Sequence, residues 1–209
     1  MYLVDGREEP EETLRYLARP ADKTTASWRL GTEDLMKILS DVYDDTLYDL
    51  RNVPEAGSAH DPFADGMPDY ALCRQYTLAS FVTDYAGEKD EPLMWTAMGI
   101  PRLVPYIPIW VNTEQLPECC GKAGAENCVA SAETRIANPS LYKEMKKYCD
   151  HIRTNYRNLE NGAKSRKEEF REKMQRIVCE ETETEQKDRA SRSQQNAMHV
   201  KKTLEICRI

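Results

Sequence analysis

Cys73 to Asn112 is the one stretch of this chain patterned for a sheet, set in a sequence otherwise patterned for helices. Tyr76, Leu78, Phe81, Val82 and Tyr85 fall in a run rich in aromatic and β-branched residues, and Gly87 to Pro92 supplies a polar turn. Leu93 to Met98 then predicts the returning strand of a hairpin. Gly99 and Pro101 close it, and Leu103 to Val111 predicts a third extended run. Pro105 and Pro108 cannot donate to a ladder, so this run belongs at an edge or carries a bulge. No second block of comparable strands is present for these three to pack against.

The flanks read as helix. Pro10 followed by Glu11 and Glu12 opens one over about 9–19, with Leu14 and Leu17 as its stripe and Pro20 as its end. Thr32 can cap another over 32–48, in which Leu35, Ile38, Leu39, Val42 and Leu47 recur at helical spacing. Arg51 to Tyr70 is an aperiodic loop, long enough to be functional or to wrap a core. Beyond Pro139, Leu141, Met145, Tyr148, Ile152, Tyr156 and Leu159 mark a helix, with Asn161-Gly162 as its natural stop. A second arm starts near Lys164 and places Phe170, Met174, Ile177 and Val178 on one face. From Glu180 to Asn196 almost nothing is apolar, which predicts an exposed or frayed middle before Val200, Leu204 and Ile206 resume a weak stripe. These readings predict an α+β chain, with an α+β region over 1–130 and a helical extension over 131–209.

Charge is unevenly spread. The 209 residues carry a net −7, but residues 138–209 hold 17 Lys and Arg against 12 Asp and Glu, leaving 12 against 24 for the rest. A basic tail of this kind can dock on an acidic front. It has no basic run interleaved with aromatics, so no nucleic-acid partner is expected. The longest apolar stretch is broken by prolines, so no membrane partner is expected either. Without a signal segment the chain as written reads as cytoplasmic.

Few residues present legible chemistry. Of seven cysteines, only Cys119, Cys120 and Cys128 cluster, without a C-x-x-C pair or a nearby histidine, so neither metal nor cofactor is expected. Free thiols or a single loop disulfide fit better. His60 reads as a solvated loop residue, and His151 and His199 as surface residues. Pairs such as Asp44-Asp45 and Glu168-Glu169 read as solvated faces. Arg74 beside Cys73 could lower that thiol's pKa, although a buried structural thiol suits the start of a strand better. Trp95 and Trp110 read as core.

Taken in order, Cys73-Arg74, Thr77, Ala79-Ser80-Phe81-Val82, then Leu93-Met94-Trp95-Thr96-Ala97-Met98-Gly99-Ile100-Pro101 and Ile107-Pro108-Ile109-Trp110-Val111 resemble a known pattern. It is the C-terminal part of the linear-amide hydrolases of the N-terminal-nucleophile superfamily, closest to the C45-type, penicillin acylase-like acyltransferases of gut bacteria. The resemblance spans roughly residues 8–115. It implies an αββα sandwich, in which a cysteine at a self-cleaved N-terminus attacks an amide carbonyl with its own amine as base. Here Met1-Tyr2 opens the chain and every cysteine lies at or after position 73. The expectation is therefore a partial sandwich without the nucleophile-bearing half, inactive alone, that self-associates or meets a complementing half. If that half carried a signal, the protein would be secreted or periplasmic. No catalytic residue is carried over, and Arg74, Thr77 and Ser80 are the substrate-proximal candidates. The alternative is a binding or scaffolding protein that engages a protein partner through its sheet and basic tail.

Overall fold

A computed structural model describes residues 30–84, 91–120, 140–183 and 188–207. The chain divides into units 1–31 and 32–209, and the elements below all belong to the second. The expected helix over 9–19 and most of the 113–130 loop lie outside the described residues.

Sheet and helix combine as α+β. Strands β1 (Ala79–Asp84), β2 (Leu93–Met98) and β3 (Ile107–Trp110) form an antiparallel meander in the order β1-β2-β3. Its register pairs Val82 with Trp95 and Trp95 with Pro108, so Val82, Trp95 and Pro108 share one face. The other face carries Phe81, Thr96 and Ile107. β1 starts at Ala79, leaving Tyr76 and Leu78 exposed ahead of it. Gly99 ends β2 at φ +116°, where an L side chain is strained, and a Cβ there would meet Cys149 Sγ at 3.6 Å.

Helix α1 (Thr32–Leu39) precedes the sheet, and α2 (Leu141–Thr154), α3 (Tyr156–Glu183) and α4 (Arg189–Ile206) follow it. α1 is shorter than its apolar spacing predicts. Tyr43 and Asp45 adopt left-handed φ values of 61° and 58°, which no α-helix accommodates, and Leu47 is left 88% exposed. The loop over 51–70 contains 3-10 turns at Leu50–Asn52 and Pro54–Ala59.

The helix break also falls elsewhere than expected. α2, capped by Ser140 accepting from the Lys143 N–H, ends at Asn155 (φ −148°, ψ 57°), and α3 runs unbroken through Asn161-Gly162. The buried series Tyr156, Ala163, Phe170 and Met174 continues across that dipeptide. Its packing outweighs the roughly 1 kcal/mol that a helical glycine costs. Tyr156, Phe63, Met145, Ile152, Met174, Ile107 and Trp110 are among the fully buried side chains of one continuous core.

Among its described residues, the polar stretch over 180–196 is largely exposed, as expected, but not throughout. Glu181, Arg192, Asn196 and His199 are all buried, and they converge on β3. Asn196 Oδ1 accepts from the Trp110 N–H at 2.8 Å while its Nδ2 donates to the Trp110 carbonyl at 3.0 Å. His199 Nδ1 lies 2.9 Å from the Pro108 carbonyl. Pro108 and Trp110 occupy the positions whose backbone groups point away from β2, because the Val111 N–H to Pro92 carbonyl bond fixes the alternation of that pair. Pro108 therefore withholds an N–H that no neighbouring strand would use. α4 closes the outer edge of β3 with side chains in place of a fourth strand.

Glu181 extends this contact by accepting from the Trp110 indole N–H at 2.8 Å and meeting His199 Nε2 at 3.0 Å. The Arg192 guanidinium stacks 3.7 Å from the Trp110 ring centroid and donates to Glu91 at 2.6 Å. Arg153 pairs with Asp61 and Arg171 with Glu33, so tail cations meet front acids at several points.

Replacing Asn196 by alanine strands a buried N–H and a buried carbonyl, each worth about 1–3 kcal/mol. Urea unfolding of Asn196→Ala is expected to show a loss of about 3 kcal/mol at an unchanged m-value.

Candidate functional site

A cleft of about 280 Å³ opens beside the start of β1, lined by Leu39, Leu72, Thr77, Ala79, Ser80, Phe81 and Pro101. The segment before β1 brings Thr77 there, with its Oγ1 accepting from the Arg74 N–H at 3.1 Å. Ser80 points to the helix-covered side, where its hydroxyl and that of Tyr106 share a 2.7 Å hydrogen bond. Burial raises the Tyr106 phenol, and the bonds to Ser80 and Ser40 offset this only in part.

Behind the cleft lies a layer of polar groups. Lys167 of α3 donates to the Pro101 carbonyl at 2.5 Å and to Ser40 Oγ at 3.3 Å, and its ammonium sits 5.9 Å from the Tyr106 ring centroid. Its removal from water brings the Lys167 pKa down to about 8. Arg102 sits alongside, paired with Asp44 and Glu160 at 2.5 Å each and donating to Tyr156 Oη at 2.8 Å. Burial would lower the Arg102 pKa, but the Asp44 bond together with the charges of Tyr156, Asp44 and Glu160 outweighs it and holds the guanidinium charged. Asp44, flanked by the two left-handed residues Tyr43 and Asp45, thus belongs to a partly buried ion network with Arg51 and Arg102 and is not one of a solvated pair.

The three candidates are divided. Thr77 and Ser80 line the cleft together. Arg74 points to a separate, shallow depression, held by Asp69 and the Ala71 carbonyl. It does not activate Cys73, which is buried with its thiol pushed up to about 12 by desolvation, against a smaller downward pull from the Arg102 N–H and the Lys167 charge. Cys149 is likewise raised to about 11 and Cys207 to about 12. Thr96, the cross-strand partner of Phe81, keeps a buried Oγ1 that has no hydrogen-bond partner among the described residues.

Among the described residues no group of acids, cysteines and histidines could hold a metal ion, and no helix is long and apolar enough to cross a membrane. No protein-family model matches the chain, and no curated protein matches it.

Spacing alone did not reveal Tyr106, Lys167 or Arg102. The available signal was an arginine inside otherwise apolar surroundings, Arg102 between Pro101 and Leu103, whereas Lys167 stands in a charged run beside Arg166, Glu168 and Glu169 and gave none. His60 is half-buried, its Nδ1 2.9 Å from the Arg51 carbonyl, and His151 is exposed. His199, expected on the surface, is fully buried because β3 presents it with a carbonyl to bind.

Lys167 titrates in the folded protein below its ordinary 10.5, so the unfolded chain binds more protons between about pH 8 and 10.5. Stability from this group rises with pH through that window. Denaturant titrations at pH 7 and pH 10 are expected to move in favour of the native chain relative to Lys167→Met, by on the order of 2 kcal/mol.

Proposed function

We propose that this chain is the C-terminal part of a linear-amide hydrolase of the N-terminal-nucleophile type, a partial αββα sandwich that supplies supporting sheet and helices but no nucleophile. The observation that carries this reading is the asymmetry of the sheet. α4 closes the β3 edge, whereas among the described residues nothing pairs with β1 at the place where a larger sheet would continue. The strand order, the turn at Gly99–Pro101 and the helical layer after the sheet agree with the resemblance. So does the state of the thiols, since Cys73, Cys149 and Cys207 are buried and their pKa values are raised. Thr77 and Ser80 would then shape the substrate side of a cleft whose attacking group comes from the complementing half.

The scaffolding alternative depends on a basic tail free to engage a partner. Arg153, Arg171 and Arg192 are instead spent on Asp61, Glu33 and Glu91 of the same chain.

The protein alone is expected to release no product from penicillin V or simple N-acyl amides. Turnover should appear when it is co-refolded with the nucleophile-bearing half of a C45-type hydrolase. Turnover by the chain alone, abolished by Cys73→Ala or Ser80→Ala, would contradict the reading.

A further inference from the structure

The edge of β1 has the hydrogen-bonding geometry of a strand awaiting a neighbour. The Gly99 N–H donates to the Leu78 carbonyl at 2.8 Å, which fixes the alternation along the pair. Ser80, Val82 and Asp84 therefore exchange bonds with β2, while Ala79, Phe81 and Thr83 direct their N–H and carbonyl groups outward. Among the described residues no hydrogen bond reaches those outward groups. Side chains do not shield them, because Phe81 is 54% exposed and Thr83 is exposed as well.

Natural sheets protect such an edge with lysine, proline, a bulge or a covering element. Ala79–Asp84 contains neither lysine nor proline, and its six residues pair with β2 in unbroken register. The opposite edge of the same sheet shows how thoroughly this protein can close one. An edge left this regular is suited to being covered.

We propose that β1 pairs antiparallel with β1 of a second copy about a two-fold axis at Phe81, joining two meanders into a six-stranded sheet. The strand is its own complement in that register. Phe81 meets Phe81 of the second copy in a pair that exchanges both bonds, and Ala79 meets Thr83, so every outward donor finds an acceptor. The only charge on the strand, Asp84, falls opposite Leu78, and no like charges face each other. The contact is isologous and closed, which limits assembly to a dimer. This inference stands on the edge geometry and does not require kinship with the amide hydrolases. In a complete enzyme the same edge would be taken by the complementing half.

Sedimentation equilibrium on the full chain tests it, with three variants. The native chain is expected to be a dimer. Phe81→Pro removes only an outward N–H, so it should yield a monomer with unchanged circular dichroism, whereas Val82→Pro, which removes an N–H bonded to β2, should unfold. Thr83→Lys places a guarding charge on the edge without touching the backbone and should raise the dimer dissociation constant roughly tenfold or more. A monomeric native chain would overturn the proposal. So would a dimer that survives both Phe81→Pro and Thr83→Lys, or open-ended assembly in place of a dimer.

Discussion

The bond pair between the Asn196 side chain and the Trp110 backbone is the constraint on which the rest of the structure leans. A three-stranded sheet is close to the smallest that survives in water, and both of its edges carry backbone groups that must be satisfied. At β3 the primary amide of Asn196 offers an acceptor and a donor at the spacing of a peptide unit, so one side chain substitutes for a residue of a missing strand. His199, one helical turn further along α4, takes the next outward carbonyl, that of Pro108. The three-residue step from Asn196 to His199 thus follows the two-residue step from Trp110 to Pro108.

The other polar contacts hold this arrangement in place. Both His199 nitrogens face oxygens, the Pro108 carbonyl on one side and Glu181 on the other, so the ring is held at both ends. Glu181 also fixes the Trp110 indole, which ties α3 to the strand that α4 closes. At the opposite end of α3, Lys167 and Glu160 secure the turn between β2 and β3 through Pro101 and Arg102. The helical layer is therefore fastened to the sheet at both ends by directional polar bonds, with the apolar core of Met145, Ile152, Tyr156 and Met174 between them.

How much of this could be read in advance depended on the kind of signal. The hairpin and the edge position of the proline-bearing strand were legible, because period-two patterning and the missing proline N–H act locally. Helical apolar spacing marked α2 and most of α3. It overextended α1, since the left-handed turn at Tyr43 and Asp45 is imposed from a distance by the Arg51 and Arg102 network. Within the polar run after Glu180, Glu181, Arg192 and Asn196 went unread for a related reason. Polar residues facing water and polar residues facing an unfinished strand look identical until the strand is placed beside them. The cleft was half legible. Thr77 and Ser80 come from one local segment, whereas Tyr106 and Lys167, in the layer behind it, come from 26 and 87 residues beyond Ser80.

One sheet, then, has an edge closed by side chains and an edge left open among the described residues, and its amides should report the difference. Native-state hydrogen exchange, followed residue by residue at a dilution where the chain is monomeric, tests this most directly. Trp110, on the outer side of β3, is predicted to exchange only through global unfolding, while Phe81, on the outer side of β1, exchanges orders of magnitude faster. Equal, rapid exchange at both positions would contradict the account.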